Sequence, residues 1–143
     1  MSRRGFKSAL WAYECQSYFI GAIGGLGQWG YVLDPIGSLL TRTNEYRNPA
    51  ICKINLDYCV VMYDKKNHIA VKKKYGNKIG ISISPTIGAA MLTSETEEFS
   101  ARDVAEEFGM KSFPDLITET RIIRNSLQMQ AMQGYKNVQK ERL

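Results

Sequence analysis

The order of apolar and polar positions changes twice along the chain. From Cys15 to Leu33 no residue carries a formal charge, and Gly21, Gly24, Gly25, Gly27 and Gly30 punctuate apolar and aromatic side chains. From Cys52 to Tyr63 the pattern alternates, Cys52, Ile54, Leu56, Tyr58, Val60 and Met62 against Lys53, Asn55, Asp57, Cys59, Val61 and Tyr63, which predicts a strand. Asp64, Lys65, Lys66 and Asn67 supply turn chemistry, and a return strand is expected over His68–Lys74 around Ile69 and Val71. Gly76-Asn77 permits a second reversal into Ile79, Ile81 and Ile83, and Pro85, which cannot donate to a ladder, closes that strand. Together these segments predict a three-stranded antiparallel meander.

After residue 99 the spacing becomes helical. Ser100 with Asp103 three positions on, ahead of Val104, Ala105 and Phe108, predicts a capped short helix that Gly109 ends. Ser112 with Asp115, and Pro114 in the first turn, predict a second and much longer helix. Leu116, Thr120, Ile123, Leu127, Ala131 and Val138 share one of its faces, while Arg121, Arg124, Gln128 and Lys136 fall largely away from it. Strands followed by helices point to an α+β chain: a glycine- and aromatic-rich apolar segment over 1–46, then a small α+β domain over 47–143 ending in an amphipathic helix. The early part of its stripe, including Ile123, is expected to support folding. The late part, including Val138, is expected to await a partner.

A length of 143 residues, 44% of them hydrophobic, allows one modest core. The net charge of +5 favours phosphates, anionic lipid or acidic partners without choosing among them. Cys15, Cys52 and Cys59 form neither a CxxC pair nor an even set, so a reducing intracellular compartment is expected. Arg3, Arg4 and Lys7 precede the uncharged stretch, and Trp11 and Trp29 sit near its edges, where amphipathic rings favour a membrane interface. Gly21 and Gly25 have the small-xxx-small spacing by which membrane helices approach each other. Membrane contact, subunit packing and a buried glycine-rich core segment are therefore the readings for Trp11, Gly21, Gly24, Gly25, Gly27, Trp29 and Gly30. In composition the segment also resembles membrane-inserting viral peptides.

No catalytic, cofactor or metal signature is complete. The glycines lack the preceding strand and the later acidic residue of a dinucleotide site. His68 stands as the chain's single histidine, with no identifiable nucleophile or orienting carboxylate beside it. Lys65, Lys66, Lys72, Lys73, Lys74 and Lys78 form a cluster that could attract an anionic membrane or nucleic acid by charge alone, or act as solvated protection of a sheet edge.

The stretch Ser100-Ala101-Arg102-Asp103-Val104-Ala105-Glu106-Glu107-Phe108-Gly109-Met110 resembles the first helix and turn of helix-turn-helix DNA-binding proteins. That resemblance implies a DNA-binding regulator using residues 100–124, with Lys111, Ser112, Thr118 and Arg121 near the groove. The chain departs from the pattern at Phe113-Pro114 and in the length of the helix that follows. The leading expectation is a non-catalytic structural or accessory subunit of a larger assembly, membrane-associated, organellar or in a virion. It would bind other protein subunits through Leu116, Ile123, Leu127 and Val138 and need no cofactor.

Overall fold

The computed structural model describes residues 3–22, 30–43, 49–84 and 88–140, with 3–6 and 134–140 as helical backbone. The chain is α+β, as its pattern predicts. Helix α1 (Arg3–Cys15) precedes β1 (Phe19–Gly21), β2 (Tyr31–Leu33) and β3 (Leu39–Arg42); β4 (Tyr58–Met62), α2 (Lys65–Tyr75), β5 (Ile79–Ile83) and β6 (Ala89–Ser94) follow, then α3 (Ala101–Glu107) and α4 (Phe113–Lys140).

Two three-stranded antiparallel sheets result, ordered β1-β2-β3 and β4-β6-β5. In the second, both β4 and β5 pair antiparallel to β6, so β4 and β5 run parallel to each other and α2 is the crossover between them. The row Cys59, Leu92, Ile81 faces the helices, where Val71, Ile79, Ala101, Val104, Ala105 and Met110 complete one core. The opposite row brings Val60 and Met91 against Ile36, with Tyr13, Tyr58 and Phe113 packed around them. Residues on either side of position 46 therefore share that second core.

The expected strand over 52–63 is confined to Tyr58–Met62 because polar side chains capture the backbone before it. Asn55 Oδ1 accepts from the Asp57 N–H at 2.9 Å, Asn55 Nδ2 donates to the Ser94 carbonyl at 2.6 Å, and Asp57 Oδ1 accepts from the Ala101 N–H at 3.0 Å. The expected return strand over His68–Lys74 is instead α2. Asp64 caps it, accepting from the N–H groups of Lys66 and Asn67 at 2.9 and 3.4 Å, and the buried His68 and Val71 are three apart on one face, with Ile69 exposed. Gly76, at φ 58°, terminates it in the left-handed region that glycine enters freely. The third strand of the sheet comes from Ala89–Ser94, buried on both faces and so without the alternation that marks a half-exposed strand.

The glycine-rich stretch does not form a spanning helix: β1 and β2 occupy its described parts, and no helix among the described residues is long and apolar enough to cross a membrane. Its second strand leads into a tight Asp34–Ser38 reversal. Asp34 Oδ1 accepts from the N–H groups of Ile36 at 3.1 Å and Ser38 at 2.7 Å, and Gly37 takes φ 79°. The sheet is tied to the rest of the body by Tyr18 Oη donating to the Asn55 carbonyl and Tyr58 Oη donating to the Gln16 carbonyl, at 2.8 and 2.6 Å.

Candidate functional site

Helix α4 starts on the body and leaves it. Ser112 makes a bridge with Val61 on the edge of β4, and its Oγ meets the Asp115 N–H at 3.4 Å and Asp115 Oδ2 at 2.5 Å. Phe113 packs on Tyr13 with ring centroids 4.7 Å apart. Lys111 Nζ bridges both oxygens of Glu119 at 2.7 and 2.8 Å, bracing the second turn from outside. Leu116 and Ile117 are half-buried, and from Thr118 to Gln133 every side chain is exposed.

That exposed length is not polar. Ile122, Ile123, Leu127, Met129 and Met132 are 63, 59, 59, 70 and 64% exposed. Asn125 to Gln133 carries no charge at all. A helix standing in water should be polar around its circumference or laced with ion pairs; here Ile123 and Leu127 lie on one side and Ile122, Met129 and Met132 on roughly the opposite side at about 100° per residue, so apolar side chains face water on two sides of the helix. The hydroxyls on this length turn back onto the helix, Thr118 to the Pro114 carbonyl, Thr120 to Leu116 and Ser126 to Ile123, at 2.8 to 2.9 Å. Side chains so occupied leave the carbon surface of the helix exposed.

The expectation that Ile123 supports the body's fold is corrected by its exposure. The division between body and free helix falls at Ile117. Leu116 lies on the body side, Ile123 and Leu127 on the free side, and the side chain of Val138 lies outside the described residues.

The lysine cluster lies on α2 and the turn after it, not on hairpin loops. Lys72 Nζ donates to the carbonyls of Gly76 at 3.0 Å and Ile79 at 2.8 Å, tying α2 to the turn after it and to the start of β5. Lys74 pairs with Glu107, which also accepts from Tyr75 Oη, and Lys78 pairs with Glu98 at 2.6 Å. Among the described residues Lys65, Lys66 and Lys73 make no ion pair. Hydrogen bonds donated by Lys74 and, second to it, Tyr75 hold the Glu107 carboxyl below its usual range. The neutralising partners Glu98 and Glu107 are distant in sequence, so only the packing of α3 beside α2 reveals them.

At the N-terminal end Trp11 is exposed on α1, its ring 6.2 Å from that of Phe19. A Cβ at Gly21 would stand 2.6 Å from the Tyr31 ring, so the close approach there is made by the chain's own tyrosine. Gly30 exchanges hydrogen bonds with Thr43, its N–H donating to Oγ1 at 3.0 Å. Gly24, Gly25, Gly27 and Trp29 lie outside the described residues. Leu10, Ile20, Leu39 and Leu40 add exposed apolar side chains on the same N-terminal unit, a feature the sequence pattern did not single out.

His68 is buried under the first turn of α2, Nδ1 2.5 Å from the Asp64 carbonyl and its ring 5.2 Å from that of Tyr63, with Nε2 unpartnered. Among the described residues no three His, Cys, Asp or Glu side chains gather as a metal would require. Of the four positions implied by the helix-turn-helix resemblance, three are engaged within the chain, Lys111 with Glu119, Ser112 buried in the cap and Thr118 with the Pro114 carbonyl, while Arg121 is exposed on α4. Comparison with protein-family models, with curated proteins and with solved structures finds no match.

Proposed function

We propose that this chain is a non-catalytic assembly subunit, a small α+β body whose task is to hold α4 out as a docking element for other protein subunits. The observation that carries the reading is the length from Thr118 to Gln133, exposed throughout yet apolar at Ile122, Ile123, Leu127, Met129 and Met132. Isolated helices of this size are marginal in water, and tertiary or quaternary packing of an apolar face supplies most helical stability. The body anchors only the first turns, so the stabilising contact for the remainder comes from outside the chain. The exposed Trp11, Ile20, Leu39 and Leu40 offer a second contact surface on the N-terminal unit, and the lysines of α2 supply general electrostatic attraction.

The test uses the full chain carrying both Ile123→Asp and Leu127→Asp. Because these side chains are exposed, body stability in urea should change by no more than about 0.5 kcal/mol per site. The natively extracted complex should nevertheless fall to the size of the free chain. Sedimentation of the double variant at the wild-type size overturns the reading. Loss of duplex affinity in Lys111→Ala and Arg121→Ala, with assembly unchanged, would favour the DNA-binding regulator instead.

A further inference from the structure

We infer that the outer face of α2 is a docking surface for an anionic membrane, a contact separate from the one assigned to α4. Ile69, 59% exposed, stands at the centre of that face. The four residues that neighbour it on the helix surface, three and four positions away in each direction, are Lys65, Lys66, Lys72 and Lys73. At about 100° per residue all four lie within about 60° of Ile69, and all four are exposed. The other side of α2 is turned to the body, with His68 and Val71 buried and Tyr75 packed on the core.

The charge of this face has no carboxylate partner among the described residues. Helix α2 itself, KKNHIAVKKKY, contains no acidic residue. Lys74, about 140° around the helix from Ile69, pairs with Glu107, and Lys78 in the turn beyond pairs with Glu98. Lys72 Nζ is held by the carbonyls of Gly76 and Ile79, neutral groups that leave its charge in place. Asp64, at the N-terminal end, accepts from the backbone N–H groups of Lys66 and Asn67 and forms no ion pair with the lysines that follow it. Acidic residues thus meet the lysines off this face and none on it. Four positive charges remain around an apolar centre over about 12 Å of helix, and their complement is a surface of fixed negative charge.

Ile69 selects among such surfaces. On a bilayer the ammonium groups stay among the anionic headgroups, while the lysine stems and the central isoleucine reach toward the acyl boundary. On a nucleic acid Ile69 would stand against phosphate and contribute nothing, and the face holds neither the arginine that reads a base edge nor an aromatic ring on which a base stacks. An acidic protein would need about 20 residues on each side for a specific contact, far more than five side chains on one convex helix supply. A fluid array of headgroups adapts to flexible lysines and needs no such area.

The experiment follows cosedimentation of the full chain with phosphatidylcholine vesicles, with and without about 30% phosphatidylserine, at about 0.1 M salt. Binding to the anionic vesicles should exceed binding to the neutral ones at least about 10-fold and fade at about 0.5 M salt. Each lysine near such a surface is worth about fivefold, so Lys65→Gln, Lys66→Gln and Lys73→Gln together should weaken binding about 100-fold, while arginine at the same three positions should retain it. Ile69→Gln should weaken it about 10-fold and leave any affinity for duplex DNA unchanged. Removing three charges elsewhere, by Lys7→Gln, Lys53→Gln and Arg124→Gln, should cost no more than about threefold. All these side chains are exposed, so urea unfolding should match the wild type within about 0.5 kcal/mol per site. No binding to the anionic vesicles, equal binding to both kinds, or an equal loss in the two triple variants overturns the inference. Duplex DNA bound more tightly than the vesicles, with Ile69→Gln without effect on either, assigns the face to nucleic acid and overturns it too. Vesicle binding reports on α2 and the size of the extracted complex on α4, so the two readings fail separately.

Discussion

Asp34 shows how a single residue sets both a turn and a pH dependence. Its carboxylate shapes the β2–β3 reversal by accepting from the Ile36 and Ser38 N–H groups, yet burial raises its affinity for a proton, with those two hydrogen bonds only partly opposing the shift. The folded chain therefore holds this proton over a pH window in which the unfolded chain has released it, and stability falls as pH rises through that window. Asp34→Asn keeps an Oδ1 acceptor and removes the buried charge. The variant should melt above the wild type at pH 7, with the difference shrinking as pH falls toward about 4, the ordinary carboxylate range; thermal scans at several pH values check this. The Asp34-Pro35-Ile36-Gly37 run places Asp, Pro and Gly at positions a tight turn favours, a signal the sequence reading did not single out. What hid the sheet on either side was the brevity of its strands and the density of glycine, which left membrane contact, subunit packing and a buried core segment all open for the same residues.

At the level of elements, legibility followed capping chemistry. Helix α3 was readable because Ser100 and Asp103 exchange hydrogen bonds across its first turn, at 3.0 and 3.1 Å, a local device written within four positions. Helix α4 was readable for the same reason and because its apolar spacing is sustained. Helix α2 was misread because Ile69 and Val71 imitate alternation, while the decisive contacts of His68, Val71 and Tyr75 depend on what lies beneath them. The signal that could have corrected it was Asp64, an N-cap residue placed just before the helix. Asp64→Ala should cost about 1 kcal/mol, as lost caps commonly do, and should lower helical circular dichroism without removing α3; urea unfolding followed at 222 nm measures both. The order β4-β6-β5 was beyond local reading, since it depends on which strand is covered on both faces. In the candidate site, the stripe on α4 was legible, but the boundary between its covered and free parts needed the position of Tyr13 and Val61 against its first turn.

As a whole, the molecule divides its apolar surface between two uses. One share closes the cores on either face of β4 and β6, where Val61, Leu92 and Ala90 are fully buried. The other stays outside on α4, more than the body can cover. The exposed ion pairs, Lys74 with Glu107 and Lys78 with Glu98, hold α2 and its following turn beside α3 but contribute little individually at such exposure. On the proposed reading α4 is independent of the body's folding and dependent on a partner subunit. Amide hydrogen exchange of the full chain, free and in its natively extracted complex, tests this directly, because a bound partner protects an association element and leaves a folded core unchanged. The amides of residues 118–133 should exchange at least about 10-fold more slowly in the complex while those of β4 and β6 stay the same. Protection of α4 equal to that of β6 in the free chain would contradict this, since the helix would then belong to the body.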